Sequence, residues 1–149
     1  MAYKRETMIA SAHNVSECFF HIQLTIKYRR KVLTREVENT ITETCKGFKD
    51  RYNLDIQQIG YDQDHVHFYL QSLPQYSGGK IVRLIKSITA QQVFRHNPKV
   101  KDFLWGGEFW TAGYYIATVS PHGNKHLIIN YIKNQGREKD VEQLKLFDM

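Results

Sequence analysis

Cysteine is scarce: Cys18 and Cys45 are the two thiols in 149 residues. Neither has the close Cys or His spacing of a zinc site, so both read as reduced core residues in a cytosolic protein. Long apolar runs are absent as well. No segment approaches the roughly 18 uninterrupted apolar residues of a membrane span, and the N-terminus carries no apolar signal core. A cytoplasmic location with no membrane partner is the expectation. No phosphate-cradling P-loop pattern occurs, so no nucleotide cofactor is expected, and there is neither an internal repeat nor a low-complexity segment. Acidic residues are outnumbered, 15 against 21 Lys and Arg, leaving a net charge of +6 and a pI near 9.3. That balance favours a polyanionic partner. Nine Tyr and eight Phe sharpen it, because unpaired bases stack on aromatic faces and a plain membrane surface does not need them.

A chain of 17.6 kDa is long enough to bury one ordinary core without staples, so one domain over residues 1–149 is expected. From Cys18 to Tyr28, Phe20, Ile22, Leu24 and Ile26 alternate with His21, Gln23, Thr25 and Lys27, the pattern of a half-buried strand. Thr34 can cap a helix to about Tyr52, with Val37, Ile41, Cys45, Phe48 and Tyr52 as its apolar stripe. Two strands follow, about Leu54 to Tyr61 and Asp64 to Ser72, joined by a turn at Asp62-Gln63. Beyond the loop from Pro74 to Gly79, Ile81, Leu84, Ile85 and Ile88 mark a second amphipathic helix that must stop at Asn97-Pro98. After a loop with Trp105-Gly106-Gly107, Phe109 to Val119 reads as a fourth strand with a possible bulge at Gly113. A last helix ends at Gly136, and the tail from Arg137 to Met149 is highly charged.

The order β-α-β-β-α-β, then α, is that of an α+β, ferredoxin-like antiparallel four-stranded sheet with two helices on one face and a C-terminal helix. If those two helices cover Val66, Phe68 and Leu70, then His65, His67 and Tyr69 occupy the opposite, more open face.

Alternation along a strand puts His65 and His67 on one face, and two adjacent imidazoles can chelate one divalent ion. Alone, such a pair reads more readily as polar residues on a solvated face. Mg²⁺ or Mn²⁺ fits when phosphate oxygens and water complete the shell, while imidazole by itself suits zinc at least as well, so the residues leave the ion open. Tyr131 and Gln135 lie one helical turn apart, so an amide oxygen could join the metal beside a tyrosine hydroxyl. Tyr131 alone would pass for the buried stripe of a terminal helix with Leu127, Ile128 and Ile132. The polar run Lys133, Asn134 and Gln135 makes a poor core edge and a reasonable phosphate-facing surface. Together these residues point to phosphodiester cleavage by tyrosine attack. For DNA contact the sharpest cluster is Arg29, Arg30 and Lys31, followed by Lys80, Arg83 and Lys86 at helical spacing, against the plain reading of solvated charge. His21 faces the polar side of its strand and could approach the site, although a structural or surface histidine is the plainer reading.

The run Lys27-Tyr28-Arg29-Arg30-Lys31-Val32-Leu33, then Asp64-His65-Val66-His67, Leu104-Trp105, Gly113-Tyr114 and Tyr131-Ile132-Lys133-Asn134-Gln135 resembles the single-tyrosine HUH transposases of bacterial and archaeal insertion sequences (TnpA type), in the family's order and over nearly the whole chain. The resemblance implies His65, His67 and Gln135 as ligands of Mg²⁺ or Mn²⁺ and Tyr131 as the nucleophile that keeps the 5′ end as a phosphotyrosine. It implies single-stranded DNA with hairpin ends as the partner. It also implies a homodimer whose sites combine the histidines of one subunit with Tyr131 and Gln135 of the other, to which the Gly- and Pro-containing connection Ser120 to Asn124 adds a physical route. The alternatives are a domesticated relative acting on repeated chromosomal palindromes, a replication initiator or relaxase, and a non-catalytic single-stranded nucleic-acid-binding module. The last normally puts aromatics where His65 and His67 stand.

Overall fold

The computed structural model describes residues 8–10, 13–104, 107–120 and 125–135. A two-residue hairpin, β1 (Ile9–Ala10) with β2 (Val15–Ser16), precedes the main sheet. That sheet comprises β3 (Cys18–Thr25), β4 (Asp55–Tyr61), β5 (His65–Ser72) and β6 (Tyr115–Val119) in the order β4-β5-β3-β6, with every neighbour antiparallel. The first and third strands of the unit are therefore central, as the ferredoxin-like reading requires. The register sets Thr25 opposite His65, Gln23 opposite His67 and His21 opposite Tyr69. Residues directly opposite share a face, so a polar stripe crosses the two middle strands.

The other face carries the main core. Ile22, Leu24, Val66, Phe68 and Leu70 are fully buried there against α1 (Arg35–Lys46) and α3 (Gly78–His96), which bring Val37, Ile41, Ile81 and Ile85. Thr34 caps α1 by accepting the Val37 N–H at 3.3 Å, and Ser77 caps α3 by accepting the Lys80 N–H at 3.1 Å. The single helix expected from Thr34 to Tyr52 is instead two. It breaks at Gly47, whose N–H turns back to the Thr44 carbonyl, and restarts as α2 (Phe48–Tyr52) with Phe48 buried in the core. Glycine is a weak helix former, so packing of Phe48 wins over straight continuation. Pro98 ends α3 as expected and then opens the short α4 (Pro98–Phe103), since a helix's first position needs no proline N–H.

Two expectations need correction. The fourth strand is shorter than Phe109 to Val119: Trp110 makes an isolated bridge to Ile26, and regular pairing begins at Tyr115. Between them the Lys86 ammonium donates to the carbonyls of Thr111, Ala112 and Gly113 at 2.7, 3.1 and 3.1 Å, so those acceptors are spent on a side chain and not on a ladder. The polar face of the sheet is also less open than the two-helix picture implies. α5 (Lys125–Lys133) lies across it and forms a second, small core in which Tyr131 and Ile132 pack with Phe19, Tyr69 and Val119. An apolar stripe on a terminal helix must be buried somewhere, and the aromatic end of this face receives it.

The seat of α5 has a specific cause. A Cβ added at Gly60 on β4 would stand 1.8 Å from the Ile132 carbonyl oxygen, so the helix backbone rests directly on the strand backbone. The helix end at Gly136, the tail from Arg137, the Trp105-Gly106 pair and the connection over 121–124 lie outside the described residues. Among the described residues no helix is long and apolar enough to cross a membrane.

Candidate active site

The β4–β5 turn delivers His65 to the start of the central strand β5. Asp62 accepts the Gln63 N–H on its own carboxylate at 2.7 Å, while its N–H bonds the His65 carbonyl at 2.9 Å. One pleat further on, His67 shares the face, its ring centroid 5.0 Å from that of His65. α5 brings the Tyr131 ring to 5.3 Å from the His67 ring, nearly perpendicular at 85°. The two halves of the sequence motif thus converge within one chain. His67 is only 1% exposed and Tyr131 8%, so this is a roofed site and not an open surface.

His21 completes the cluster. Its Nε2 lies 2.9 Å from Nδ1 of His67, and its ring meets Tyr131 edge-on at 6.2 Å and the half-exposed Tyr115 at 5.5 Å. Sequence reasoning favoured a structural or surface role for His21 over an approach to the site; the structure puts it beside His67 and Tyr131. An alternation pattern shows which face a residue occupies but not which residues of the neighbouring strand lie beside it, here His67 diagonally across from His21.

Burial pushes the His21 pKa down to about 4. His67 is held lower still, to about 2, first by burial and then by the neighbouring His21 and His65 rings. Both rings are therefore neutral at pH 7, the state in which an imidazole nitrogen can donate its lone pair to a metal. His65 is anchored through Nδ1 to Asp64 Oδ1 at 2.8 Å, and Arg29 Nε donates to Asp64 Oδ2 at 2.8 Å. Burial alone would raise the Asp64 carboxyl, but the hydrogen bonds from His65 and Arg29 outweigh it and leave the pKa below its usual range.

A metal has a credible place here. Nε2 of His67 is buried with no hydrogen-bond partner, an orphan acceptor of the kind a cation would satisfy. Among the described residues no group of three His, Cys, Asp or Glu side chains could hold an ion, so any site relies on the histidine pair plus a neutral oxygen. Gln135 fits that need. Its amide N–H donates to the Tyr131 carbonyl at 3.0 Å, which fixes the side chain and leaves the amide oxygen for another use.

The basic residues divide. Arg29 and Lys31 are exposed beside the site-bearing edge, and Arg30 stacks its guanidinium 4.9 Å from the Phe103 ring. Tyr28 and Arg29 both adopt left-handed backbone, at φ 58° and 53°, which turns the Tyr28 ring out to 60% exposure. Arg83 is exposed on α3, in the layer behind the sheet. Lys86, a DNA-contact candidate from spacing, spends its ammonium on the three carbonyls before β6, so a structural role replaces the phosphate contact expected of it.

The chain is similar to known proteins along most of its length. Residues 14–135 match the IS200-like transposases. The chain is 31% identical to the ISDra2 transposase TnpA of Deinococcus radiodurans over 116 residues, 78% of this chain and 82% of that protein. It is 28% identical to the transposase for insertion sequence element IS200 of Salmonella typhimurium over 136 residues, 91% of this chain and 88% of that one. Among solved structures, a candidate transposase from Deinococcus radiodurans superposes with a TM-score of 0.69 at 28% identity, covering 87% of this chain and 99% of the other. A REP-associated tyrosine transposase bound to a REP hairpin shares the fold, with a TM-score of 0.56 at 12% identity over 89% and 70% of the two chains. A match to the family over residues 14–135, with curated relatives of this identity and coverage, identifies the chain as a member of the IS200-like transposase family.

Proposed function

We propose that this transposase cleaves and rejoins single-stranded DNA at insertion-sequence ends folded as hairpins, with Tyr131 as nucleophile. The observation that carries the reading is the meeting of the Tyr131 ring with His67, whose buried Nε2 has no partner. The Tyr131 hydroxyl attacks the scissile phosphorus, a P–Oη bond forms, and the P–O3′ bond breaks. The 5′ end stays on the enzyme as a phosphotyrosine, and the phenol proton is balanced by the 3′ hydroxyl released. One phosphodiester replaces another, so the same 3′ hydroxyl or a new one can reverse the step without a nucleotide triphosphate.

His65, His67 and Gln135 would hold Mg²⁺ or Mn²⁺, which when bound polarises the phosphate and stabilises the leaving oxygen. The neutral state of His67, enforced by burial, supports its role as a ligand. Asp64 keeps His65 oriented through Nδ1 and ties Arg29 to the same edge. Arg29, Arg30, Lys31 and Arg83 are the residues proposed to meet DNA phosphates, with the exposed Tyr28 ring available for a base. The hairpin in the structure of the REP-associated relative supports a folded single strand as substrate. A cytoplasmic, DNA-associated location accords with this chemistry.

Excision requires two ends cut together, which favours a homodimer. In it, His65 and His67 of one protomer would work with Tyr131 of its partner in at least one state of the reaction. The test of the whole reading is incubation with labelled single-stranded end oligonucleotides and Mn²⁺. A denaturation-resistant protein-DNA adduct on Tyr131 is expected, and cleavage without any adduct, or full cleavage in excess chelator, overturns it.

A further inference from the structure

The chemistry above uses His65, His67, Gln135 and Tyr131 and leaves His21 without a task, although it is 8% exposed and wedged among them. Its ring centroid is 5.2 Å from that of His67 with the planes only 25° apart, yet the closest nitrogens are 2.9 Å apart. The difference is about one ring radius on each side. The rings therefore meet nitrogen to nitrogen, nearly in plane, in a directional hydrogen bond.

Two neutral imidazoles can share such a bond in two ways. If His21 donates, the single N–H of His67 sits on Nε2, where it is a buried donor with no acceptor and blocks a ligand position. If His67 donates from Nδ1, its buried and unpartnered Nε2 keeps the lone pair that a metal ligand needs. His65 offers an internal comparison, since its Nδ1 is also engaged, by Asp64 at 2.8 Å. Anchoring of a ligand histidine through the ring nitrogen away from the metal fixes both tautomer and orientation.

We propose that His21 is a positioning residue that accepts the Nδ1–H of His67 and so holds the Nε2 lone pair of His67 toward the catalytic metal, as Asp64 does for His65. The proposal rests on the metal-site reading given above. It accounts for a buried histidine on β3 whose partner is its diagonal neighbour on β5, His67 standing opposite Gln23, and it makes His67 dependent on a hydrogen bond that a carboxylate does not supply.

The test uses the full chain, with Mn²⁺ binding followed by titration and ring-nitrogen NMR on the metal-free protein. In the unmodified protein His67 should appear as the Nδ1–H tautomer. His21→Phe keeps a ring but removes the acceptor, and should weaken Mn²⁺ binding by about 10–100-fold. His21→Gln offers an amide oxygen to the same N–H and should recover most of the affinity and the tautomer, which a purely packing role would not. An Nε2–H tautomer of His67 in the unmodified protein, or wild-type Mn²⁺ affinity in His21→Phe, overturns the proposal. If His21→Phe does not fold, the tautomer in the unmodified protein still decides. His67→Ala separates the two levels: undiminished Mn²⁺ binding there sinks the metal site itself, whereas binding lost in His67→Ala but kept in His21→Phe sinks only the part assigned to His21.

Discussion

Tyr131 packs its ring into the small core under α5 while its hydroxyl carries the proposed chemistry. Tyr131→Phe should therefore abolish the covalent adduct, leave hairpin affinity unchanged, and cost about 1 kcal/mol of stability for the lost polar contact. Adduct formation by the pure Phe variant would assign the attack elsewhere. The histidine pair is legible in the sequence because a period of two puts His65 and His67 together whatever their neighbours do. Tyr131 and Gln135 are legible for the corresponding reason on a helix. His21 is not, since its place depends on the β3–β5 register, and His67 is more enclosed than alternation alone implies. Removing His67 opens space beneath α5 as well as deleting a ligand, so its alanine variant is read against a thermal melt.

For the elements, the seat of α5 matters most. In Gly60→Ala the new methyl would meet backbone and not a yielding side chain. The variant should lose about 1–3 kcal/mol of stability, with adduct yield falling because Tyr131 is displaced and Mn²⁺ binding weakening because Gln135 moves with it. A wild-type adduct rate would show that catalysis does not require this docking. The segment before β6 offers a second case. Lys86→Ala should cost about 1–3 kcal/mol through the lost charge-assisted bonds and leave the salt dependence of DNA binding intact. Loss of a phosphate contact would instead reduce the slope of log affinity against log salt by about 0.7. Helix capping at Thr34 and the stop at Pro98 can be read directly from residue types. The break at Gly47 and the short β6 cannot, because they are decided by Phe48 burial and by a lysine 25 residues away in sequence from its first carbonyl.

At the scale of the whole molecule the strand order follows from the element order, but the position of α5 does not: an apolar stripe shows that a helix is buried and not which face of the sheet receives it. Subunit mixing addresses that point. His67→Ala and Tyr131→Phe protomers, each inactive alone, should regain adduct formation when exchanged, because a mixed dimer built in trans holds one site with both groups native. Demonstrated exchange without recovery means that each site is built within one chain, as the packing of α5 on its own sheet would allow. The left-handed pair at Tyr28 and Arg29 carries one more consequence. Each non-glycine residue there costs about 1–2 kcal/mol relative to ordinary backbone, and the Tyr28 ring recovers little of it from burial. Tyr28→Gly should thus raise the melting temperature while weakening single-strand binding, and a variant that gains neither heat resistance nor a binding defect would contradict this. The fittest sequence for cutting DNA and the most durable one are then different sequences, so selection for thermal robustness alone would erode this edge first.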